Sequence, residues 1–173
     1  MNMSLHPNRI LAVLRLAALG LAALATAPAS ALDAGAPAPE LSLPGLKEAV
    51  SLAGLKGKVV YVDFWASWCG PCRQSFPFMN DLQAKYRAQG LEILAVNLDA
   101  KREDADKFLS DVPAQFSVAF DAKGDSARRF EVKGMPSSFL VGRDGKLVAV
   151  HRGFKEADRP QIEASIVQAL AAK

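Results

Sequence analysis

Two cysteines separated by two residues lie where an apolar segment changes into a helical pattern. Residues 58–65 (KVVYVDFW) form a dense run of β-branched and aromatic side chains, which is typical of a strand buried on both faces. Residues 71–88 carry apolar side chains at spacings of three and four, which predicts a helix. Cys69 and Cys72 therefore fall between a buried strand and the first turn of a helix, an order that favours an α/β fold.

The helix start determines the chemistry expected of Cys69 and Cys72. Two intervening residues on a first helical turn bring both sulfurs within bonding distance. Cys69 then faces unpaired backbone N–H groups and the positive end of the helix dipole, which stabilise a thiolate and lower the thiol pKa below about 8.5. Because the thiolate is the attacking species in disulfide exchange, we expect Cys69 to be an exposed nucleophile. Cys72 is expected to be the buried resolving thiol, and Pro71 suits the first turn.

Other uses of the cysteine pair make different demands on the sequence. An inert staple is disfavoured, because a disulfide that closes so short a loop removes little entropy from the unfolded chain. A site with four cysteine ligands for zinc or an iron–sulfur cluster is excluded, since the chain contains two cysteines. Its two histidines, His6 and His151, leave little material for a histidine-rich site, and His151 is interpreted as a surface or packing residue. A copper-carrying module that uses Cys69, Cys72 and the soft thioether of Met135 is an alternative.

The rest of the chain alternates strand and helix patterns. Strands are predicted over residues 91–98, 117–120, 138–141 and 147–151, and helices over residues 102–109, 125–130 and 156–172. Short apolar pieces at residues 41–43 and 49–52 flank the turn signal Pro44-Gly45 and are predicted to pair as a hairpin. Helices between the early strands imply parallel crossovers, and Asp144-Gly145 implies an antiparallel edge. The prediction is a central mixed sheet flanked by helices.

The start of the chain has the three-part pattern of a secretory signal peptide. It carries Arg9 and Arg15 without an acid, then a ten-residue apolar run and a small-x-small site that ends at Ala31. We therefore predict a signal peptide over residues 1–31 and a mature domain over residues 32–173. The mature domain is expected in the periplasm, where disulfides form and persist. The alternative is an uncleaved N-terminal anchor.

The charge balance argues against nucleic acid as a partner. Lys and Arg number 21, Asp and Glu number 18, and the formal net charge is +3. Two of the basic residues belong to the predicted signal peptide, so the mature domain has 19 basic and 18 acidic residues. A domain so close to neutral lacks the excess of basic residues with which proteins bind the phosphates of nucleic acid.

The segment around the cysteines resembles the signature of thioredoxin. The resemblance lies in residues 62–73 (VDFWASWCGPCR), with Pro77 inside the following helix and Gly153 after the last strand. Gly134-Met135-Pro136, just before a predicted strand, is similar to the cis-proline loop of that family. The resemblance implies a thioredoxin fold in which Pro136 is cis and the Met135 backbone pairs with an extended substrate segment. It also implies a substrate-binding surface formed by Trp68, Gly70, Pro71, Gly134, Met135 and Pro136.

Asp63 is an acid inside an otherwise apolar predicted strand. Aspartate has poor strand propensity, and burying its charge without partners is costly. The resemblance implies that Asp63 is the buried acid beneath the active site, which exchanges a proton with Cys72 and whose pKa is raised by desolvation. The alternative is an aspartate at a strand edge that accepts backbone hydrogen bonds. Ala95 stands at the position where thioredoxin has a lysine beside this acid.

Three additions distinguish the chain from plain thioredoxin. Asp99 and Pro136 lie 37 positions apart, and a helix, a strand and a short helix over residues 101–130 are interpreted as an insertion before the cis-proline loop. The hairpin within residues 41–55 is an N-terminal extension, and the signal peptide is the third addition. Together they resemble the TlpA/ResA/DsbE-like branch of extracytoplasmic thiol–disulfide oxidoreductases.

This resemblance implies an enzyme that exchanges a Cys69–Cys72 dithiol or disulfide with protein substrates and needs no organic cofactor or metal. Because Gly70-Pro71 is the thioredoxin dipeptide, we expect a reductant. The resemblance to the branch implies cytochrome c maturation or disulfide repair as its task, although the cytochrome-maturation members often carry another dipeptide. Its electrons are expected from a membrane donor, with no stable membrane insertion after signal cleavage. A disulfide-donating oxidant and the copper-binding module are the alternatives. A peroxidase is disfavoured. The related peroxidases have a Thr-x-x-Cys pattern, and in this chain Ala66 occupies the threonine position, three residues before Cys69.

Overall fold

The computed structural model describes residues 32–172, so the predicted signal peptide, residues 1–31, lies outside the described residues. The strands are β1 Ser42–Leu43, β2 Val50–Ser51, β3 Val59–Trp65, β4 Leu91–Asn97, β5 Ser117–Phe120, β6 Ser137–Val141 and β7 Leu147–Arg152. The α-helices are α1 Gly70–Tyr86, α2 Arg102–Asp111, α3 Asp125–Arg129 and α4 Arg159–Ala171. Short 3₁₀ turns occur at Ala53–Leu55, Arg87–Gln89 and Glu156–Asp158. In residues 32–172 no helix has the length and apolar character needed to cross a membrane.

A five-stranded mixed sheet forms the centre of the fold. Its order is β5-β4-β3-β6-β7. The crossovers through α1 and α2 make β3, β4 and β5 parallel, because a strand that follows a helix re-enters the sheet in the same direction. β6 runs antiparallel to β3, and β7 runs antiparallel to β6 across the Asp144-Gly145 turn. The predicted mixed sheet flanked by helices is confirmed.

Two apolar cores lie on opposite faces of this sheet. All seven residues of β3 are buried, so alternate side chains of the strand enter the two cores. Tyr61 and Trp65 join the core that packs under α1, α2 and α4. Phe64 joins the core on the α3 face. Cys69 and Cys72 belong to the first core, which places the cysteine pair on the α1 face of the central strand.

The residues before β3 form a strap that crosses the α3 face of the sheet. We call residues 32–55 the N-terminal strap, and β1 and β2 pair within it as an antiparallel hairpin. Near its start the strap borders β7, where the Gly35 amide donates to the Leu147 carbonyl at 2.8 Å. Further along it borders β5, where the Leu46 amide donates to the Val118 carbonyl at 3.2 Å. One segment therefore covers part of both outer strands of the sheet.

The last predicted helix, over residues 156–172, is divided in the structure. Residues Glu156–Asp158 form a 3₁₀ turn, and α4 begins only at Arg159. Pro160 explains the division, because proline lacks an amide hydrogen and is accommodated in the first turn of an α-helix but not further inside.

Candidate active site

The cysteine pair forms a disulfide at the amino end of α1. The S–S distance is 2.00 Å and the two Cα atoms are 5.3 Å apart. Cys69 is the N-cap residue of the helix, and its sulfur accepts a hydrogen bond of 3.2 Å from the Cys72 amide. Pro71 lies in the first turn, where no amide hydrogen is needed. The Cys69 sulfur therefore lies against an amide that has no helical partner, as the sequence predicts.

The expected exposure of Cys69 is wrong for this disulfide form. Cys69 retains 5% of its accessible surface and Cys72 retains none. Both side chains belong to the core on the α1 face, and the bond between them holds the Cys69 sulfur against the first helical turn. Cys69 is nevertheless more accessible than Cys72, which agrees with the relative exposure that the sequence predicts for the two cysteines.

The two tryptophans near the cysteines have opposite surroundings. Trp65 is fully buried, and its ring packs 4.9 Å from that of Phe76 and 4.7 Å from that of Phe108. Trp68 is 74% exposed. It borders a cleft of about 220 Å³ between the loop before α1 and helix α2. An exposed indole next to the disulfide offers a partner protein a large contact area.

The cis-proline loop lies beside the core that contains the cysteines. The Met135-Pro136 peptide bond is cis, as predicted. Met135 is half-buried and packs against this core, while Pro136 is buried and Gly134 is exposed. The Gly153 amide donates to the Pro136 carbonyl at 2.8 Å, and the Ser137 hydroxyl donates to the Gly134 carbonyl at 2.7 Å. These two bonds fix the loop at both of its ends.

Asp63 lies in the middle of the central strand and is only 1% exposed. The strand-edge alternative is therefore wrong, since β4 and β6 flank β3 on both sides. Its neighbours in register are Ala95 and Ser138, and the Ser138 hydroxyl donates to Asp63 Oδ1 at 2.6 Å. Asp63 Oδ2 is buried without a partner in the described part of the chain. Burial raises the pKa of Asp63 from 3.8 to about 7, and the hydrogen bond from Ser138 opposes that rise.

Asp99 anchors the loop before the cysteines, a role that the sequence analysis missed. Its carboxylate accepts hydrogen bonds of 2.9 Å from the amide and from the hydroxyl of Ser67, and one of 2.7 Å from the side chain of Asn97. The Cys69 amide closes the same loop by donating to the Ala66 carbonyl at 3.1 Å. A sequence signal exists, because Asp99 follows β4 and parallel strands end at the same edge of a sheet.

His151 lies on β7 opposite Ser138, two strands away from Asp63 in the same row of the sheet. Its Nε2 atom is 3.2 Å from the Ser165 hydroxyl on α4, and burial lowers its pKa below the ordinary value. The structure therefore gives His151 the packing position that the sequence predicts. Between residues 32 and 172, no group of three His, Cys, Asp or Glu side chains is arranged to hold a metal ion.

The fold and the site together define a class of protein. A cysteine pair at the amino end of a helix, a buried acid on the preceding central strand and a cis-proline loop against the same core characterise thioredoxin-fold dithiol–disulfide oxidoreductases. The sequence model described as Redoxin matches residues 33–166, and the chain belongs to this family as a TlpA/ResA/DsbE-like member of the thioredoxin superfamily.

Named relatives agree with this assignment. The thiol-disulfide oxidoreductase ResA of Bacillus thuringiensis subsp. konkukian is 33% identical over 133 residues, which cover 76% of each chain. ResA of Geobacillus thermodenitrificans is 32% identical over 147 residues, 83% of this chain and 84% of that one. A solved structure from Chlorobium tepidum, described as a thiol:disulfide interchange protein DsbE, is 57% identical with a TM-score of 0.80. It matches 81% of this chain and 99% of its own.

Proposed function

We propose that the protein is a periplasmic oxidoreductase that reduces disulfides of protein substrates through Cys69 and Cys72. The observation that carries this proposal is the disulfide at the helix start, on the sheet face where Asp63 is buried with one free carboxyl oxygen. A nucleophile, a resolving thiol and a group able to hold a proton are thus available on one side of the sheet. The relatives named thiol-disulfide oxidoreductase ResA support the same chemistry.

The exchange proceeds in two steps from the reduced protein. The Cys69 thiolate attacks one sulfur of a substrate disulfide, forms a mixed disulfide and releases the other substrate sulfur as a thiolate, which takes a proton from solvent. The Cys72 thiol then loses its proton and attacks the Cys69 sulfur. This second attack forms the Cys69–Cys72 disulfide and releases the second substrate thiolate. Two electrons have passed to the substrate, and an external dithiol donor must return the protein to its reduced form.

Asp63 is proposed as the base of the second step. Cys72 is fully buried, so its proton cannot pass directly to bulk water. Because the pKa of Asp63 is raised to about 7, its carboxyl group can both accept and release a proton near neutral pH. The buried acid therefore matches the proton transfer that a buried resolving thiol requires.

The substrate is proposed to bind across the cis-proline loop and the start of α1. Met135 and Pro136 present backbone and apolar surface beside the core that holds the cysteines. Trp68 contributes the exposed indole on the other side. These residues, with Gly134, Gly70 and Pro71, suit an extended protein segment that carries the reacting cysteine.

The proposed direction and location rest on the sequence. Residues 1–31 are proposed as a cleaved signal peptide, which leaves residues 32–173 in the periplasm with no organic cofactor or metal. Gly70-Pro71 is the thioredoxin dipeptide, which favours a reductant near the thioredoxin potential of about −270 mV over an oxidant near about −120 mV. A reductant there needs a membrane electron donor. Apocytochrome c and misoxidised proteins are the proposed substrates, as the resemblance to the TlpA/ResA/DsbE-like branch implies.

Trapping of the mixed disulfide tests the proposed mechanism. The variant Cys72→Ser, mixed with a peptide that carries one disulfide, is expected to accumulate a covalent adduct through Cys69, measured by mass spectrometry. Without Cys72 the adduct cannot be resolved, so it persists. The matched control Cys69→Ser is expected to form none. Equal adduct in the two variants, or none in Cys72→Ser, contradicts the assigned roles.

The equilibrium potential of the pair tests the direction. Oxidised and reduced protein are equilibrated with glutathione or dithiothreitol mixtures, and the reduced fraction is counted after alkylation of free thiols. A value near about −270 mV supports a reductant. A value near about −120 mV shows a disulfide donor instead and contradicts the proposed direction.

A further inference from the structure

The buried acid has one hydrogen-bonding neighbour across the sheet, and it lies on β6. In the register of the sheet, Asp63 stands between Ala95 of β4 and Ser138 of β6. Ala95 offers only a methyl group. The Ser138 hydroxyl donates to Asp63 Oδ1 at 2.6 Å, and Ser138 is itself 3% exposed. Among residues 32–172, the Ser138 hydroxyl is the side chain that forms a hydrogen bond with the Asp63 carboxyl group, which is buried away from water.

We propose that Ser138 is a positioning residue for proton transfer: its hydroxyl holds Asp63 Oδ1 and leaves Oδ2 as the oxygen that receives and returns the Cys72 proton. This inference rests on the proposed role of Asp63 and assigns the atom at which that role is performed. This assignment of one oxygen to Ser138 and the other to the proton requires that Oδ2 has no hydrogen-bond partner, and in the described structure it has none.

The chemistry of a hydroxyl suits this task. A serine hydroxyl can donate to an ionised carboxylate, where the bond is stronger, and also to the carbonyl oxygen of a neutral carboxylic acid, so the bond to Oδ1 survives both protonation states. The proton must then enter and leave at Oδ2. A hydroxyl also stabilises the ionised acid by a dipole and not by a full charge, so Asp63 can still be protonated near neutral pH. The raised pKa of about 7 agrees with this weaker stabilisation.

The titratable groups that share this face of the sheet are few in the described structure. Tyr61 lies two residues before Asp63 on β3, and burial raises its pKa above the ordinary value, so it remains neutral. Cys69 and Cys72 come from the start of α1, and Tyr86, whose hydroxyl donates to Glu163, comes from its end. His151 lies opposite Ser138 on β7, and burial lowers its pKa, which favours the neutral ring. The residues of α2 and α4 buried in this core are apolar. Ser138 is therefore the group that changes the pKa of Asp63 by a direct hydrogen bond.

The substitution Ser138→Ala removes the hydroxyl and is expected to raise the pKa of Asp63 by about one to two pH units, the effect of losing one hydrogen bond to a charged group. The pKa is measured in the oxidised protein from the pH dependence of the Asp63 carboxyl carbon signal by NMR. Oxidised protein is used because neither cysteine then titrates. The matched variants Ser138→Thr and Ser138→Val have side chains of the same shape, so they separate the effect of the hydroxyl from the effect of shape. They also provide the test if Ser138→Ala folds poorly. Threonine is expected to restore the original pKa and valine is not.

A kinetic measurement connects this pKa to the reaction. Reduced protein is mixed with an excess of an aromatic disulfide that releases a coloured thiolate, and the phase that does not depend on reagent concentration reports attack by Cys72. The inflection of this phase with pH is expected to rise in Ser138→Ala and Ser138→Val. It is expected to stay in place in Ser138→Thr. The control Ser117→Ala removes a hydroxyl that bonds to Glu92 on the other side of the sheet and is expected to change nothing.

The variant Asp63→Asn distinguishes failure of this inference from failure of the proposed function. Loss of the inflection in Asp63→Asn together with an upward shift in Ser138→Ala supports both. A second outcome is that Asp63→Asn loses the inflection, whereas Ser138→Ala and Ser138→Val change neither the inflection nor the pKa measured by NMR. The proposed role of Ser138 is then wrong, and that of Asp63 stands. If Asp63→Asn keeps the inflection, the proposed base is wrong and the inference about Ser138 falls with it.

Discussion

At the residue scale, the raised pKa of Asp63 connects its proposed role in proton transfer to the stability of the fold. Its carboxyl group is 1% exposed, and its pKa rises from 3.8 in the unfolded chain to about 7 in the native protein. Between these two pH values the native state binds the proton and the unfolded state does not. The contribution of Asp63 to stability is therefore fully present below pH 4 and is lost as the pH rises through 7. The group proposed to accept the Cys72 proton therefore also weakens the fold at alkaline pH.

The substitution Asp63→Asn tests this coupling. Asparagine removes the ionisation but keeps an oxygen for the Ser138 hydroxyl, so the variant is expected to gain stability relative to the original protein as pH rises. The shift from 3.8 to about 7 corresponds to a relative gain of up to about 4 kcal/mol at pH 9 compared with pH 4. Urea unfolding of the oxidised proteins at both pH values measures it.

An exposed aspartate provides the control for that experiment. Asp81 lies on the solvent side of α1, and Asp81→Asn is expected to change stability by a similar small amount at both pH values. Parallel pH profiles for Asp63→Asn and the original protein would mean that the buried acid does not ionise in this range.

Sequence reasoning finds single residues where their chemistry conflicts with their surroundings. Asp63 is conspicuous because it interrupts an apolar strand, and Cys69 and Cys72 because of their spacing. Ser138 and Asp99 carry no such conflict, since serine in a strand and aspartate in a loop are ordinary. Their roles depend on which strands become neighbours, and that information is held in the register of the sheet and not in the local sequence.

At the scale of elements, the N-terminal strap meets β5 at a point with no spare room. Gly45 forms an isolated bridge with Ala119, and a Cβ atom at position 45 would overlap the Glu48 carbonyl oxygen and lie 3.2 Å from that of Val118. Both obstacles are backbone atoms, which cannot rotate away as a side chain can. Glycine is therefore required both for the tight turn from Gly45 to Glu48 within the strap and for the approach of the strap to β5.

The substitution Gly45→Ala is expected to lower the free energy of unfolding by about 1–3 kcal/mol, the usual effect of overpacking. Gly54→Ala is the matched control within the strap, because its added Cβ would meet only the Ser51 hydroxyl at 3.2 Å. That variant is expected to lose less than about 1 kcal/mol. Thermal unfolding of both oxidised variants measures the difference. A tolerated Gly45→Ala would show that the strap does not hold this close position in solution.

Element boundaries show what periodicity can and cannot predict. The helix predicted over residues 71–88 begins at Gly70 and leaves α-helical geometry after Tyr86, with a 3₁₀ turn that ends at Gly90. Gly90 has a left-handed backbone, with φ of 99°, which closes the helix end. Apolar spacing identifies the face that is buried, whereas the last turn depends on hydrogen bonds that the spacing does not encode.

At the scale of the whole molecule, the strap isolates the α3 face of the sheet from solvent. Leu41 of the strap is 2% exposed and joins the core with Phe64 and Phe139. The strap also covers parts of β5 and β7, the outer strands of the sheet. Removal of the strap therefore exposes apolar surface and free backbone groups at the same time, a combination that promotes association between chains.

Deletion of the strap tests this role. A chain that begins at residue 56 is expected to associate or precipitate at a concentration at which the proposed mature domain, residues 32–173, stays in solution. Light scattering after size-exclusion chromatography, at matched concentration, measures the difference. Equal size distributions for the two chains would show that the sheet edges and the α3 face need no cover.

The overall fold could be predicted further than the site. Strand and helix order, the mixed sheet and the cysteine pair all follow from local patterns and from the resemblance to thioredoxin. The path of the strap could not be predicted, because its contacts join residues such as Gly35 and Leu147 that no local pattern connects. The burial of Cys69 could not be predicted for a similar reason, since it depends on tertiary packing around the disulfide.

The path of the strap has a consequence for how the molecule is made. Gly35 bonds to Leu147, and Leu46 bonds to Val118, so each contact joins an early residue to one far along the chain. In a chain that is synthesised or exported from its amino end, the strap emerges before either partner exists. Closing such long loops is unfavourable until β5 and β7 have joined the sheet. The strap thus emerges early and docks late, and its apolar residues are exposed to association until β7 has formed.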